Sequence, residues 1–270
     1  MADTRSSPPV LQHKAYDRPS QFVPENLLRE ARRQMGLPEG QVPSICVLDP
    51  DGDIVASLLG RGEAHEHDTW ACYHTTLYRF TLSGIEIGII RHVVGAPFAV
   101  LVAEELFASG CQLLIHVTSS GQIVHKEEPP FFILVEKALR DEGTSYHYLP
   151  PSDFSFLKPD LSDLFTRALS DGDPPVYRGA TWTTDAPFRE TQEAIQHAEQ
   201  HGILAVEMEA AALYAFAQAR DKAVVCFAHV TNQMGQVEGD FEKGEGAGSR
   251  HALRLIAAAV QAWRAAKKAR

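Results

Sequence analysis

The feature that most constrains the fold is the run Gln112–Val117 (QLLIHV), apolar almost without interruption. A strand wetted on one face alternates apolar and polar side chains; one covered on both faces does not. The run therefore predicts a strand buried on both faces. Around it, strand and helix patterns alternate. A helix is expected over 25–36, stopped by Gly36, and a short strand over 42–48, ended by the turn signal DPDGD. Strands over 77–80 and 85–94 flank the Leu82-Ser83-Gly84 turn, and a helix over 98–108 follows the break at Gly95. Residues 131–139 form another apolar segment; strands are expected over 176–182, 203–207 and 224–230, and helices over 160–170, 191–201, 210–220 and 250–268. Such alternation implies an α/β domain with a largely parallel central sheet. In such folds chemistry collects where strand passes to helix. That rule marks loops at 118–122, 182–191, 207–209 and 231–235.

Residues 1–24, with four prolines, read as an irregular N-terminal arm, and 25–270 as a single domain. The formal charge of -10 argues against a nucleic acid or an anionic membrane as main partner. No apolar run reaches the length of a membrane span, and the N-terminus lacks the apolar core of a signal peptide. Cys46, Cys72, Cys111 and Cys226 show no ligand spacing, so reduced core cysteines and a cytoplasmic location are expected. His65, His67 and Asp68 (HEHD) lack a third ligand and read as a polar loop. Asp49, Asp51 and Asp53 lack the spacing of a calcium loop and read as a turn. No metal site is expected.

The stretch VEMEAAALYAFA (206–217) sets Glu207 and Glu209 at a strand end ahead of an apolar helix. They could complement the helix's positive end. They could instead accept hydrogen bonds from a ribose diol, which offers two donors, with the Met208 thioether against the sugar's apolar face.

These residues resemble the ribose-binding segment of the nucleoside phosphorylases of the purine/uridine phosphorylase superfamily. VGAPFAVLVAEELFASG (94–110) is similar to the family's Gly-rich turn and helix, and LLIHVTSSG (113–121) to its phosphate-loop strand. DEGTSYHYLPP (141–151) and WTTDAPFRET (182–191) resemble a uridine phosphorylase-like branch, and VCFAHVTN (225–232) the strand before the base loop. The resemblance implies a three-layer α/β/α fold with a mixed, partly barrel-like sheet. It implies cleavage of a ribosyl C–N bond, usually by phosphate, with inorganic phosphate as co-substrate and no other cofactor. It implies a homo-oligomer, a dimer or trimer of dimers, that takes a small-molecule nucleoside. Glu209 matches the carboxylate on the ribose hydroxyls, Met208 the residue under the ring, and Glu207 a less universal position beside them.

The chain departs from that pattern at the phosphate site. His116 stands where the family carries arginine, with Thr118, Ser119, Ser120 and Gly121 beyond it. Leu48 and Gly52 replace the glycine and arginine of the family's Gly-Asp-Pro turn, and Asp51 and Asp53 add negative charge. Arginine grips phosphate through a charged fork; neutral histidine offers one donor. Arg91 or His92 could compensate, as could a neighbouring subunit's arginine. Otherwise water is the nucleophile, or the protein binds a nucleoside without turnover. At the base, Asn232 cannot act as an acid, which disfavours an acid-assisted purine mechanism. Phe188 would stack on the base and Arg189 meet a carbonyl oxygen, though Arg189 could instead pair with Asp185 or Glu190. Phosphorolysis of a pyrimidine-type nucleoside is the leading expectation, with Glu209, His116 and Asn232 as catalytic residues. Residues 235–248 are either a lid or a surface loop.

Overall fold

The structure, a computed structural model, describes residues 8–169, 175–234, 240–241, 243, 246 and 248–269. Most of the stretch 235–248 lies outside the described residues. Among those described, the elements run α1 (Pro24–Met35), β1 (Ile45–Asp49), α2 (Asp53–Gly60), β2 (Ala64–Glu66), β3 (Leu77–Leu82), β4 (Ile85–Arg91), α3 (Ala96–Ala108), β5 (Leu113–Gln122) and β6 (Phe131–Asp141). Then come β7 (Phe154–Phe156), α4 (Pro159–Leu169), β8 (Val176–Thr184), α5 (Gln192–Gln200), β9 (Ile203–Glu207), α6 (Ala210–Ala219), β10 (Val224–Asn232) and α7 (Ser249–Lys268).

The strands form one mixed sheet in the order β10-β6-β8-β9-β5-β1-β4-β3-β2, with β7 on β6. An additional β10–β5 pairing closes β5, β10, β6, β8 and β9 into a barrel. Strands β1, β4, β3 and β2 extend from it. The fold is thus α/β with a partly barrel-like sheet. Strand β5 is buried along its length apart from the half-buried Ser119, as its apolar run predicts.

Barrel closure corrects one expectation. Thr118–Gly121 is not a loop but the second half of β5. Thr118, Ser119 and Ser120 pair with Ala228, His229 and Val230 of β10, and Gly121 pairs with Val206 of β9. The ladder satisfies backbone groups that polar side chains alone would not predict to be in a strand. Other differences are small. The DPDGD turn runs straight into helix α2, too short to show a period. The HEHD stretch begins on edge strand β2, and the described residues hold no group of three metal-capable side chains.

Helix α6 is buried from Ala210 to Ala217. Its small alanines let it pack close to β6, β8 and β10. The Tyr214 hydroxyl donates to the Val135 carbonyl at 2.6 Å and accepts from the Cys226 N–H at 3.0 Å. Helices α1, α3 and α6 pack in one group, and α2, α7 and α4 in another. All four cysteines are buried and free. In the arm, Lys14 Nζ lies 2.9 Å from His147 Nδ1, and the Tyr16 hydroxyl donates to the Tyr146 carbonyl at 3.2 Å. No helix among the described residues is long and apolar enough to cross a membrane.

Candidate active site

The two glutamates of the EME tripeptide part company. Glu207, the last residue of β9, turns onto β8. Its Oε1 accepts from the hydroxyls of Thr181 at 3.1 Å and Thr183 at 2.5 Å. Its Oε2 accepts from the backbone N–H groups of Glu209 and Ala210, both at 2.7 Å. The Thr183 hydroxyl in turn accepts from the Ala211 N–H at 2.9 Å. The free donors at the start of α6 are thereby satisfied. Burial raises the Glu207 carboxyl above its usual range, and these four donors oppose the rise. Alternation along a strand would set Glu207 and Glu209 on one side; the turn into α6 separates them. Glu207 is a helix-start acceptor with both oxygens engaged by protein donors.

Glu209 turns the other way, to the start of α3. Its Oε1 accepts from the Gly95 N–H at 2.7 Å. Gly95 has φ 89°, a conformation that suits glycine, and it turns this donor toward the carboxylate. Its Oε2 is buried and has no hydrogen-bond partner. Burial, then the charge of Glu207, pushes the Glu209 carboxyl up to about 8; the Gly95 N–H and the Thr118 hydroxyl pull it down. Half-buried Met208 lies between the two acids.

His116 sits on β5 with Nε2 3.5 Å from Glu209 Oε2. That is too long for a sound N–H···O bond, and neither ring nitrogen has a partner. Burial drives the imidazole down to about 3, against a weaker pull from Asp51. At neutral pH the contact therefore joins a neutral ring to a protonated carboxyl and is no ion pair. Ser120 Oγ is also buried without a partner. His116 and Ser120 both lie on β5, and Glu209 Oε2 lies against His116, so β5 carries bare polar atoms that an incoming ligand would satisfy.

The remaining expected residues are less gathered. Ser119 Oγ donates to Asp51 Oδ1 at 2.9 Å. The Asn232 side-chain amide donates to Thr231 Oγ1 at 3.2 Å, and its Oδ1 accepts from the Met234 N–H at 2.9 Å. Gly121 lacks the Cβ that would come within 2.5 Å of Met234 Sδ, so β5 and this turn meet closely. Arg91 holds its guanidinium 5.7 Å from the centre of the Tyr78 ring on β3, and the His92 ring lies against Gly52. Phe188 is 99% exposed, and Arg189 is exposed beside it. A distant chain segment also enters: Lys243 Nζ reaches Asp51 at 3.0 Å and Asp53 at 2.6 Å. His229 stacks on Phe132 with ring centroids 4.3 Å apart and Nε2 unpartnered. Sequence spacing carried no sign of Lys243 or His229, because their partners lie on other elements.

A mixed sheet closed into a five-stranded barrel defines a class of fold, and the comparisons agree with it. The chain belongs to the phosphorylase superfamily, whose family model matches residues 44–261. It is 26% identical to guanosine phosphorylase from Halorubrum lacusprofundi over 67% of this chain and 74% of that one. It is 28% identical to a DeoD-type purine nucleoside phosphorylase from Clostridium beijerinckii, covering 64% of this chain and 79% of the relative. It spans just over half of several other relatives, 58% of the Proteus mirabilis purine nucleoside phosphorylase among them. Uridine phosphorylase from Vibrio fischeri superposes with a TM-score of 0.69 at 21% identity, covering 81% of this chain and 90% of that one. Purine nucleoside phosphorylase from Toxoplasma gondii superposes with 0.68 at 17% identity, with the same coverage. At such identities these structures establish the shared fold.

Proposed function

We propose that this protein cleaves the ribosyl C–N bond of a nucleoside, with Glu209 as the clamp on the ribose hydroxyls. One observation carries the reading. Glu209 Oε1 is held by the Gly95 N–H, while Oε2 is buried, bare and beside His116. A buried polar atom without a partner costs about 1–3 kcal/mol, and a ribose hydroxyl would satisfy it. The diol donates to a carboxylate, so binding favours the ionised form of Glu209. The anion then lies next to the sugar as positive charge develops on C1′, and stabilises it. Met208 provides an apolar surface under the ring. Asn232 and the exposed pair Phe188 and Arg189 are assigned to the base, which a pyrimidine-type nucleoside fits, because Asn232 supplies no acid.

Two acceptors are open to the ribosyl group. Phosphate is what the names of the relatives imply, and Lys243 is a cation close to Ser119 that could meet it. Water is favoured by the neutral His116 and by the Ser119 hydroxyl already bound to Asp51. The test is a panel of nucleosides with and without phosphate, scored by free base and sugar phosphate. Glu209→Ala is expected to abolish turnover while its unfolding midpoint stays near that of the parent. Undiminished turnover in that variant would place the sugar site elsewhere.

A further inference from the structure

The nucleophile side of the site holds a charge arrangement that bears on the choice of acceptor. Ser119 Oγ donates its proton to Asp51. A serine hydroxyl has one proton to donate, so what remains for a ligand is lone pairs. Lys243 is paired with Asp51 and with Asp53. Two carboxylates against one ammonium leave the group with net negative charge. His116 adds no positive charge, since burial keeps it neutral. Ser120 Oγ and His116, both more than nine-tenths buried, have no protein partner. Those two groups can each donate one hydrogen bond as well as accept, but an anion entering here meets the net negative charge of Asp51 and Asp53, which neutral water does not feel.

We propose that Asp51 is the residue that sets acceptor specificity: by holding the Ser119 proton and the Lys243 ammonium, it fits the site to water and turns phosphate away. This rests on the ribosyl-cleavage reading. In the reaction, the water oxygen bonds to C1′ as the C1′–N bond breaks, and the bonding pair leaves with the base nitrogen. One water proton ends on that nitrogen and the other stays on the new C1′ hydroxyl, giving free ribose and free base. In Asp51→Ala, the Ser119 proton and one of the two ion pairs of Lys243 are released toward the site, so phosphate gains a donor and a cation.

The experiment measures base release by the full chain and its Asp51→Ala and Asp51→Asn variants, with and without phosphate, with sugar products separated. The wild type is expected to give free ribose at a rate indifferent to phosphate. Asp51→Ala is expected to gain at least about tenfold with saturating phosphate and to form ribose 1-phosphate. Adding Lys243→Met should remove that gain. Ribose 1-phosphate as the main wild-type product, or no phosphate response in either Asp51 variant, overturns the proposal. Titration calorimetry with inorganic phosphate alone separates this from the parent reading. If no nucleoside is cleaved, ribosyl cleavage fails, yet phosphate binding about tenfold tighter in Asp51→Ala than in wild type still supports the role of Asp51. Equal binding refutes it.

Discussion

Removing the Glu207 side chain tests whether this residue builds the site or contacts the sugar. In Glu207→Ala, the N–H groups of Glu209 and Ala210 lose their acceptor in the protein interior. The hydroxyls of Thr181 and Thr183 lose theirs as well, though hydroxyls can rotate to other acceptors. A buried donor left bare costs about 1–3 kcal/mol, so two backbone donors cost about 2–6 kcal/mol. Against this, burial disfavours the Glu207 carboxylate, and its removal recovers part of the loss. The expected net destabilisation is about 2–4 kcal/mol, a large share of the about 5–15 kcal/mol typical of whole domains. Urea unfolding should show the midpoint falling with an unchanged slope. Glu207→Gln should recover most of it, because the amide oxygen can accept from both N–H groups while its NH2 meets the threonines. A midpoint shift in Glu207→Ala worth under about 0.5 kcal/mol would refute the assignment of Glu207 as the acceptor that starts α6.

Three further outcomes follow from the structure. Glu209, raised to about 8 from an ordinary 4.5, keeps its proton in the free protein. Ribose binding to the carboxylate should therefore release a proton and tighten about tenfold per pH unit until pH 8, then level off; a flat affinity across that range, by calorimetry, would contradict the clamp. The same shift means that Glu209 favours the fold below about pH 4.5 and that this contribution is lost as pH rises through about 8. Tyr214→Phe strips partners from the Val135 carbonyl and the Cys226 N–H. It should cost about 2–4 kcal/mol in urea unfolding, with little change in the far-ultraviolet spectrum.

Much of the framework was legible because it is locally encoded. The QLLIHV run announced a doubly covered strand, and Gly36, at φ 66°, stops α1 where expected. What escaped depends on contacts distant in sequence. Thr118–Gly121 reads as a loop until β10 and β9 supply ladder partners. Glu207 and Glu209 look equivalent in EME; only Thr181 and Thr183 on one side, and Gly95 on the other, tell them apart. The loss of arginine at His116 is visible in the letters, but its neutrality comes from complete burial. Lys243 meets Asp53 across 190 positions, a distance no motif spans.

The Gly95–Glu209 hydrogen bond has a consequence for how the chain comes to life. Its donor and acceptor are 114 positions apart. A chain growing from its N-terminus makes the Gly95 N–H long before the carboxylate that will use it. Closing so wide a loop is an entropic cost that only the assembled tertiary structure repays. A nascent or truncated chain can carry the EME tripeptide intact and lack the Gly95–Glu209 hydrogen bond. If Glu209 holds ribose as proposed, that binding reports on completed assembly, and its appearance during refolding should trail the formation of the strands that frame it.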